Sequence, residues 1–482
     1  MKGLFLALAM VTLSACVPQK QWRTQPFYAV SGKAEAKTEE RFVIPPDVSN
    51  NRIYSLAFVE FNNKGDLWDK RQLDEVLRAI DDADQRSGHR ALVITFIHGW
   101  KNNARQTNNN VLDLRRQMNR IAAEACKGDW PHCGVVGIYL AWGGDLISRD
   151  WNTLRTLTYF DRRNVAIDVA TDPKATMVPV GDALFAIMKR TKDGPDRSTN
   201  QSVVVGHSFG GLILEYAITK RMREIGEELR KELAKHDTAD EIHLNTLDDF
   251  ANLVVLINQA APAADAVELL SQYRGDLQKV NLLRPPAKSG CAKDDSSQDC
   301  KELTRPLILS VSSEADLATR AVLPIAETIA PPKDRPRKLP PDTDLPAGLD
   351  VKKVFTTAAA HTPQLYSHQL NECANGDCSP CLKQDKYYIP IGITLPAYAP
   401  GNDGNTDKDI SYCLVREFKA WNRTPYWIFE IPAEIVPDHS TIFTDRFTDF
   451  LTAFLPPLRQ FRATQPMPPA AQRLSIARQT QN

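Results

Sequence analysis

Short apolar, β-branched runs alternate with charged, helix-like stretches along this chain, and this alternation restricts its possible folds more than any other feature. In the first cycle, a polar helical stretch at residues 69–86 joins apolar runs at 53–61 and 91–97. Runs of the same kind follow at residues 135–142, 201–205, 252–258, 306–311 and 426–431. Strands that alternate with helices form a mostly parallel sheet with helices on both faces. We therefore expect an α/β fold.

Composition and charge are those of a globular chain. Of 482 residues, 43% are hydrophobic, and 59 lysines and arginines balance 59 aspartates and glutamates. A chain of this composition buries enough apolar surface to fold, which excludes disorder over most of its length. Nucleic-acid binding depends on clustered positive charge, and the sequence has neither a net excess nor a block of basic residues. We expect no nucleic-acid partner.

The N-terminal residues have the pattern of a targeting segment. Lys2 precedes an apolar run at residues 3–13, which is too short to cross a bilayer as a helix and is typical of a signal peptide. The sequence Leu-Ser-Ala-Cys that ends at Cys16 resembles the lipobox of bacterial lipoproteins. This resemblance implies removal of residues 1–15, acylation of Cys16 and a lipid anchor at the bacterial cell envelope. Val17, the residue after the cysteine, favours sorting to the outer membrane, facing the periplasm. The alternative to the lipobox is an ordinary signal peptide that is followed by a cysteine by chance.

Composition shifts divide the rest of the chain. Residues 16–50 are polar and are expected to form a lipidated N-terminus and a flexible stalk. The sheet core is expected at 51–330 and again at 425–456, interrupted by a Pro- and Cys-rich insertion at 331–424 and followed by a mobile tail at 457–482. Three shorter segments do not fit the strand–helix repeat and are expected to hang off the sheet as insertions: 143–178, 220–249 and 284–305.

The cysteines besides Cys16 are even in number, in a chain that its signal sends to an oxidising compartment, so we expect disulfides. Their spacing favours two local pairs, Cys126 with Cys133 and Cys291 with Cys300. Three pairings remain open for the other four cysteines, which are Cys373, Cys378, Cys381 and Cys413. A zinc site is the alternative for these four, because residues 378–381 have the two-residue gap of a metal-binding knuckle.

The sequence Gly-His-Ser-Phe-Gly at residues 206–210 carries the strongest chemical signal. It contains the pattern G-x-S-x-G, directly after the apolar run at 201–205 and directly before a helix-like stretch that begins at Leu212. In this context the serine sits on a tight turn that exposes its hydroxyl, and side chains in place of the glycines would collide with neighbouring backbone. Ser208 is therefore a candidate nucleophile; the alternative is a glycine-rich turn without catalysis.

With this motif, the chain resembles the α/β-hydrolase superfamily over residues 53–455. A second match supports the resemblance, because the apolar run at 91–97 leads into His98-Gly99-Trp100, where the superfamily has an H-G-x turn beside the oxyanion hole. The resemblance implies an α/β-hydrolase fold in which the backbone N–H groups of Trp100 and Phe209 stabilise the oxyanion. We expect His98 to be a structural, hydrogen-bonding residue.

The superfamily orders its triad as serine, acid and histidine, and the sequence offers an acid in that position. Asp316 lies in the loop after the apolar run at 306–311 and is the expected acid. Glu314, in the same loop, is the nearest alternative. Asp265, after the preceding apolar run, is a more remote one.

The expected base is His439. It lies after the apolar run at 426–431 and before an amphipathic stretch that begins at Phe443, which is where the superfamily carries its histidine. His361 and His368 also follow Asp316 and are the alternatives, although both lie inside the 331–424 insertion.

Two groups of apolar side chains are candidates for a cap and an acyl pocket over the site. One group lies near the apolar run at 135–142, and the other follows the run at 252–258. Their members are Trp142, Trp151, Tyr159 and Phe160 in the first, and Val267, Leu269, Leu270 and Tyr273 in the second. Core packing under a long loop is the alternative for each.

These roles together predict a serine hydrolase of esterase or lipase type, which cleaves a carboxylic ester through an acyl-enzyme with a Ser-His-Asp triad. We expect no metal and no organic cofactor. The expected partners are a small-molecule or lipid ester and the membrane that holds the anchor. A non-catalytic, lipid-anchored binding scaffold that keeps the fold is the alternative, and so is a membrane-remodelling or secretion component that acts through the 331–424 insertion.

Overall fold

The computed structural model describes most of the chain between Lys20 and Leu455. The described residues are 20–26, 40–46, 53–126, 133–145, 159–171, 179–193, 199–233, 250–272, 306–329, 339, 343, 345–379, 391–397, 409–417 and 424–455. Several expectations lie outside the described residues: the signal peptide, acylation of Cys16, sorting by Val17, the roles of Trp151 and Tyr273, the Cys291–Cys300 pair, Cys381, the 284–305 insertion and the 457–482 tail.

A central sheet organises the fold. The strands are β1 (Val43–Ile44), β2 (Ser55–Glu60), β3 (Leu92–Ile97), β4 (Val135–Ala141), β5 (Gln201–His207), β6 (Leu253–Ile257), β7 (Ile308–Ser313), β8 (His368–Glu372), β9 (Ile391–Leu395), β10 (Ile410–Arg416) and β11 (Tyr426–Ile431). Eight of them form the central sheet in the order β1-β2-β4-β3-β5-β6-β7-β11, with only β1 antiparallel to its neighbour. Every apolar run that predicted a strand forms one, and the expected α/β class with a mostly parallel sheet is confirmed.

Helices cover both faces of this sheet. They are α1 (Lys70–Arg86), α2 (Asn109–Ala125), α3 (Tyr159–Thr171), α4 (Val180–Lys192), α5 (Phe209–Leu233), α6 (Ala263–Gln272), α7 (Leu323–Ile329), α8 (Val351–Val354) and α9 (Asp445–Thr452). The apolar core on one face receives side chains from α1 and α3 to α6, and the core on the other face receives them from α2 and α9. No helix among the described residues has the length and apolarity needed to cross a bilayer.

Several of these helices begin at a polar residue whose side chain caps the first turn. The Asp69 side chain accepts a hydrogen bond from the Arg71 N–H at the start of α1, and Thr444 accepts one from the Phe447 N–H at the start of α9. Such caps satisfy backbone donors that have no partner inside the helix. The Thr444 cap also fixes the end of the loop that carries His439.

Two segments expected to hang off the sheet belong to its helical layers. Within 143–178, helix α3 packs against α5 and buries Val165 and Ala166. Within 220–249, helix α5 continues without a break to Leu233 and buries Met222 and Ile225. The expectation of insertions is wrong for these helical parts, because a helix with charged outer residues still buries one apolar face.

Parts of the expected flexible stalk contact the sheet. The backbone N–H groups of Trp22 and Arg23 donate to the carboxylate of Glu60, the last residue of β2, at 2.8 and 2.7 Å. The buried Arg23 side chain donates to the Ala104 carbonyl at 3.0 Å, and β1 pairs with β2. The stalk prediction is wrong for residues 20–26 and 40–46. These residues are mostly polar, and the sequence does not show that Arg23 is buried against residues far away in the chain.

The 331–424 insertion contains a second sheet. Its strands are antiparallel in the order β8-β10-β9. Ser367, just before β8, joins this part of the chain to β11. Its N–H donates to the Ile428 carbonyl and its hydroxyl accepts from the Ile428 N–H, both at 2.9 Å. The insertion therefore lies along the outer edge of the central sheet.

Two disulfides have both cysteines within the described residues. Cys126 and Cys133 form the expected local pair, next to β4. Cys373 pairs with Cys378, and Cys413 is also disulfide-bonded. The zinc alternative is wrong for these cysteines, because a zinc ligand is a free thiolate.

Candidate active site

Three of the predicted site residues meet at the carboxyl edge of the central sheet. Ser208 follows β5, Asp316 lies three residues after β7, and His439 lies in the loop after β11. These strands run parallel in one sheet, so their carboxyl ends share an edge. The topology thus makes neighbours of residues that are far apart in the sequence.

The turn that holds Ser208 is tight and strained. Ser208 joins β5 to α5 with φ 55°, a left-handed backbone conformation that costs a residue with a side chain about 1–2 kcal/mol. A Cβ atom on Gly210 would lie 2.1 Å from the Ile97 carbonyl oxygen, and one on Gly206 would lie 2.7 Å from the Gly210 carbonyl oxygen. Both positions therefore require glycine, as the motif predicts.

An unbroken chain of hydrogen bonds links the three residues. His439 Nε2 lies 2.9 Å from Ser208 Oγ, and His439 Nδ1 lies 2.9 Å from Asp316 Oδ1. In the neutral tautomer with the proton on Nδ1, the ring donates to Asp316 and accepts from Ser208. Of the expected acids, the structure therefore places Asp316 against the histidine, whereas Glu314 accepts from the Ala433 N–H at 3.2 Å. Asp265 lies on α6.

Asp316 is buried and surrounded by donors. Its Oδ1 accepts from the N–H groups of Ala318 and Thr319 at 3.0 and 3.1 Å, and its Oδ2 accepts from the Thr319 hydroxyl. Burial raises the pKa of Asp316, but the hydrogen bond and charge of His439, together with the Thr319 donors, outweigh it, so the pKa lies below its usual value. The carboxylate therefore stays ionised at neutral pH.

A second histidine lies behind this acid. His361 Nε2 is 3.0 Å from Thr319 Oγ1, and His361 Nδ1 is 2.8 Å from Glu430 Oε1. Since the Thr319 hydroxyl contacts Asp316, the hydrogen bonds continue from the acid through Thr319 and His361 to Glu430. His361 and His368, the alternative bases, are not the histidine placed against Ser208. His361 contacts Thr319 and Glu430, and the His368 ring packs against Trp427 with ring centroids 3.9 Å apart. Sequence analysis missed the contribution of Thr319.

The loop that carries His439 is tied to the ends of two strands. The Asn258 side-chain amide donates to the Asp438 and His439 carbonyls at 3.1 and 3.2 Å, and its Oδ1 accepts from the Ser313 N–H at 2.9 Å. The Ser313 hydroxyl donates to the Val436 carbonyl at 2.6 Å. Sequence analysis missed Asn258 and Ser313; the available signal was a polar residue at the carboxyl end of an apolar strand.

Two buried histidines support the site as neutral rings. Burial lowers the pKa of His207 to about 3, and the nearby His439 adds to this shift. His207 Nε2 donates to the His439 carbonyl at 2.7 Å. Burial lowers the pKa of His98 to about 4. His98 Nδ1 donates to the Gly99 carbonyl at 2.8 Å, and Nε2 accepts from the Trp142 N–H at 3.1 Å, so His98 has the structural contacts expected of it.

The expected oxyanion donors flank Ser208. Phe209 is the first residue of α5, so its N–H has no acceptor inside the helix. A Cβ atom on Gly99 would lie 2.7 Å from Ser208 Cβ, which brings the turn that holds Trp100 beside the nucleophile. The Trp100 and Phe209 rings are 6.5 Å apart. The structure thus places both residues at the site, and their role as oxyanion donors stays a prediction.

Among the described members of the two candidate cap groups, those of the first provide aromatic rings beside the site. The Tyr159 ring lies 5.1 Å from Phe209 and 5.6 Å from Trp100, and Phe160 contacts Tyr159. Trp142 is buried and stacks on His98. Residues Val267, Leu269 and Leu270 lie inside the core, so the expectation that they form an acyl pocket is wrong and core packing describes them.

The described residues form no candidate metal site, and comparison with known proteins finds no match to the chain. Within the described ranges, no group of three or more histidine, cysteine, aspartate or glutamate side chains is arranged to hold a metal ion. Comparison with protein-family models, with curated proteins and with solved structures finds no match to this chain. The function is therefore argued from an α/β fold that carries a hydrogen-bonded serine, histidine and aspartate at the carboxyl edge of its sheet.

Proposed function

We propose that this protein is a serine hydrolase of the α/β-hydrolase superfamily that cleaves a carboxylic ester through an acyl-enzyme. The observation that carries the proposal is the hydrogen-bond chain from Asp316 through His439 to Ser208, with the serine on a strained strand-to-helix turn. Ser, Asp and His follow one another in the order of that superfamily. The turn at 98–100 lies beside Ser208, which supports the proposal that it provides a second oxyanion donor.

The geometry supports a two-step reaction. His439 Nε2 takes the Ser208 hydroxyl proton as Oγ bonds to the ester carbonyl carbon, and Asp316 stabilises the imidazolium that forms. His439 then gives the proton to the alkoxy leaving group, which departs as an alcohol and leaves Ser208 acylated. In the second step, His439 accepts a proton from water as the water oxygen attacks the acyl-enzyme. The carboxylic acid departs, and the proton returns to Ser208.

We also propose that the protein acts at the bacterial cell envelope, held by acyl chains on Cys16. This part of the proposal depends on the Leu-Ser-Ala-Cys sequence at the end of an apolar run. The proposed substrate class is a carboxylic ester, which a Ser-His-Asp triad cleaves through an acyl-enzyme.

Labelling with a fluorophosphonate probe tests the serine without requiring the substrate. We expect the probe to modify Ser208 in the folded chain, as located by peptide mass spectrometry, because the probe reacts with serines that a nearby base activates. Labelling should disappear in Ser208→Ala and fall strongly in His439→Ala. Ser440→Ala is the matched control, since Ser440 is exposed, lies next to His439 and should leave labelling unchanged.

Absence of labelling in a sample with native circular dichroism would contradict the hydrolase proposal and favour the non-catalytic scaffold. Labelling of Ser208 that persists in His439→Ala would contradict the assignment of the base. Turnover of a short-chain 4-nitrophenyl ester by the same variants provides an independent measurement.

A further inference from the structure

The segment that follows Cys16 is fixed to the carboxyl edge of the central sheet. The N–H groups of Trp22 and Arg23 bond to the carboxylate of Glu60, which ends β2, and the Arg23 side chain bonds to the Ala104 carbonyl in the loop after β3. Gln72 of α1 donates to the Arg23 carbonyl at 3.0 Å. Arg23, Glu60 and Gln72 are buried, so the chain is held in the folded body at Trp22 and Arg23.

Covalent geometry limits how far Cys16 can lie from this edge. Lys20 is four residues after Cys16 in the sequence. An extended chain spans at most about 3.6 Å for each residue, so their Cα atoms are at most about 14 Å apart. Acyl chains on Cys16 would therefore hold this edge close to the bilayer.

The surface around this attachment has the side chains of a membrane interface. Trp22 is partly exposed and Trp68 is 37% exposed, and both border one cleft together with Lys20. The Lys20 ammonium lies 4.2 Å from the Trp22 ring, and the Arg105 guanidinium lies 5.6 Å from it. Tryptophan favours the headgroup region, and basic residues are attracted to anionic lipids.

The candidate active site lies on the same edge. Ser208 follows β5, and only β4 and β3 separate β5 from β2 in the sheet. Neighbouring strands are about 4.8 Å apart, so three steps place the serine's strand about 14 Å from the strand that holds the N-terminal segment.

We infer that the carboxyl edge of the central sheet rests on the membrane and that the active site takes an amphiphilic ester from that bilayer. The Trp22–Trp68 surface, with Lys20 and Arg105, meets the headgroups. The inference rests on the proposed lipid anchor and hydrolase activity, and it adds an orientation and a substrate class to them.

Hydrogen exchange of the full chain on vesicles tests the orientation. The acylated protein, purified from bacterial membranes, is placed on vesicles of phosphatidylethanolamine and phosphatidylglycerol and compared with the same protein in detergent. We expect slower exchange in peptides covering residues 61–68 and 99–105. Peptides at 86–91 and 199–200, at the opposite edge, should be unchanged, because they face away from the bilayer.

A linker insertion is the matched control. About thirty Gly and Ser residues inserted after Gln19 keep the anchor but release the body, since such a linker is a flexible coil. We expect this variant to lose the protection at 61–68 and 99–105. It should hydrolyse a fluorogenic lipid ester in the same vesicles several-fold more slowly, and a soluble short-chain ester at the original rate.

The possible results distinguish the orientation and the membrane substrate from the proposed anchor and hydrolase activity on which they rest. Mass spectrometry of the N-terminal peptide reports acylation, and turnover of the soluble ester reports the hydrolase. If Cys16 is not acylated, the anchor and the orientation both fail. If it is acylated but protection is absent, lies at 86–91, or survives the linker, the orientation is wrong while the anchor stands. If the linker leaves lipid-ester hydrolysis unchanged, the membrane substrate is wrong.

Discussion

The glycines around Ser208 are needed because neighbouring backbone already occupies the space that a side chain would take. We expect Gly210→Ala to abolish ester turnover and to lower the melting temperature. Its Cβ would lie 2.1 Å from the Ile97 carbonyl oxygen, a separation that forces β3 and α5 apart. Turnover of a 4-nitrophenyl ester and thermal unfolding measure the two effects.

Gly226→Ala is the control on the same helix. A Cβ atom at Gly226 meets nothing within 4 Å, so this change should leave turnover intact and raise stability slightly, as alanine is favoured over glycine inside helices by about 0.5–1 kcal/mol. Equal damage from both changes would show that the close approach at Gly210 is not the cause.

His361 is expected to act as a positioning residue through Thr319. We expect His361→Ala to lower kcat about tenfold, equivalent to about 1.4 kcal/mol, with little change in KM. Without the imidazole, the Thr319 hydroxyl loses one of its two partners and holds Asp316 less firmly. Steady-state kinetics on one soluble ester separate kcat from KM.

His361→Gln should recover part of this loss, because its amide can donate to Thr319 Oγ1. His368→Gln is the control, since His368 is also buried but contacts Trp427 and not the triad. A uniform loss in all three variants, following their melting temperatures, would indicate a structural effect only.

Sequence alone predicted that certain residues would lie together at the candidate site, namely those that carry a local motif or follow a strand in the expected order. Ser208 has its glycines, and Asp316 and His439 follow strands in the expected sequence order. Asn258 and Thr319 have no such motif, since each acts through atoms that folding brings from elsewhere in the chain. Their positions depend on strand order, which the residues themselves do not encode locally.

Between elements, Asn258 couples the end of β6 to the loop before α9. We expect Asn258→Ala to lower kcat about tenfold, because the carbonyls of Asp438 and His439 lose the hydrogen bonds from the Asn258 amide and His439 is less well placed for Ser208. Kinetics together with the rate of fluorophosphonate labelling measure this loss.

Asn258→Asp separates the two sides of the coupling. It keeps an acceptor for the Ser313 N–H but places a carboxylate against two carbonyl oxygens, so it should lose at least as much activity as the alanine variant. Full activity in the aspartate variant would show that the amide donor does not hold the loop.

At the scale of elements, the buried strands of the central sheet were predictable, whereas several of the segments between them were not. The strands of the central sheet are mostly apolar and buried because both faces of the sheet are covered. Helix α3 was less visible, since it buries Arg163, whose guanidinium contacts Glu327 at 3.1 Å. Arg163 and Glu327 are 164 positions apart, so the sequence does not show that they pair. Each charged residue then suggests an exposed segment.

For the whole molecule, the two buried neutral histidines predict a loss of stability in acid. Burial lowers the pKa of His98 to about 4 and that of His207 to about 3, whereas the same groups titrate near 6.5 when unfolded. Below that pH the unfolded chain binds protons that the folded chain does not. The free energy of unfolding should therefore be highest above pH 6.5 and fall by about 1.4 kcal/mol per pH unit for each histidine down to pH 4.

Denaturant unfolding between pH 4 and 7 measures this dependence. His207→Gln keeps a donor for the His439 carbonyl and removes one titrating group, so proton uptake on unfolding should fall by about one below pH 6.5. The lowered pKa of Asp316 acts in the same direction at lower pH. A profile that is flat from pH 7 to 4 would contradict the prediction.

The contacts of Ser367 also affect whether two copies of this protein can associate through the edge of the sheet. Strand β11 is the outermost strand on its side of the central sheet, and an outer strand offers unpaired backbone groups to which a foreign strand can add. Ser367 occupies both the N–H and the carbonyl of Ile428, midway along that strand. The insertion thus covers this part of the sheet edge. We expect it to prevent a strand of another molecule from adding to β11 and so to limit aggregation through this edge.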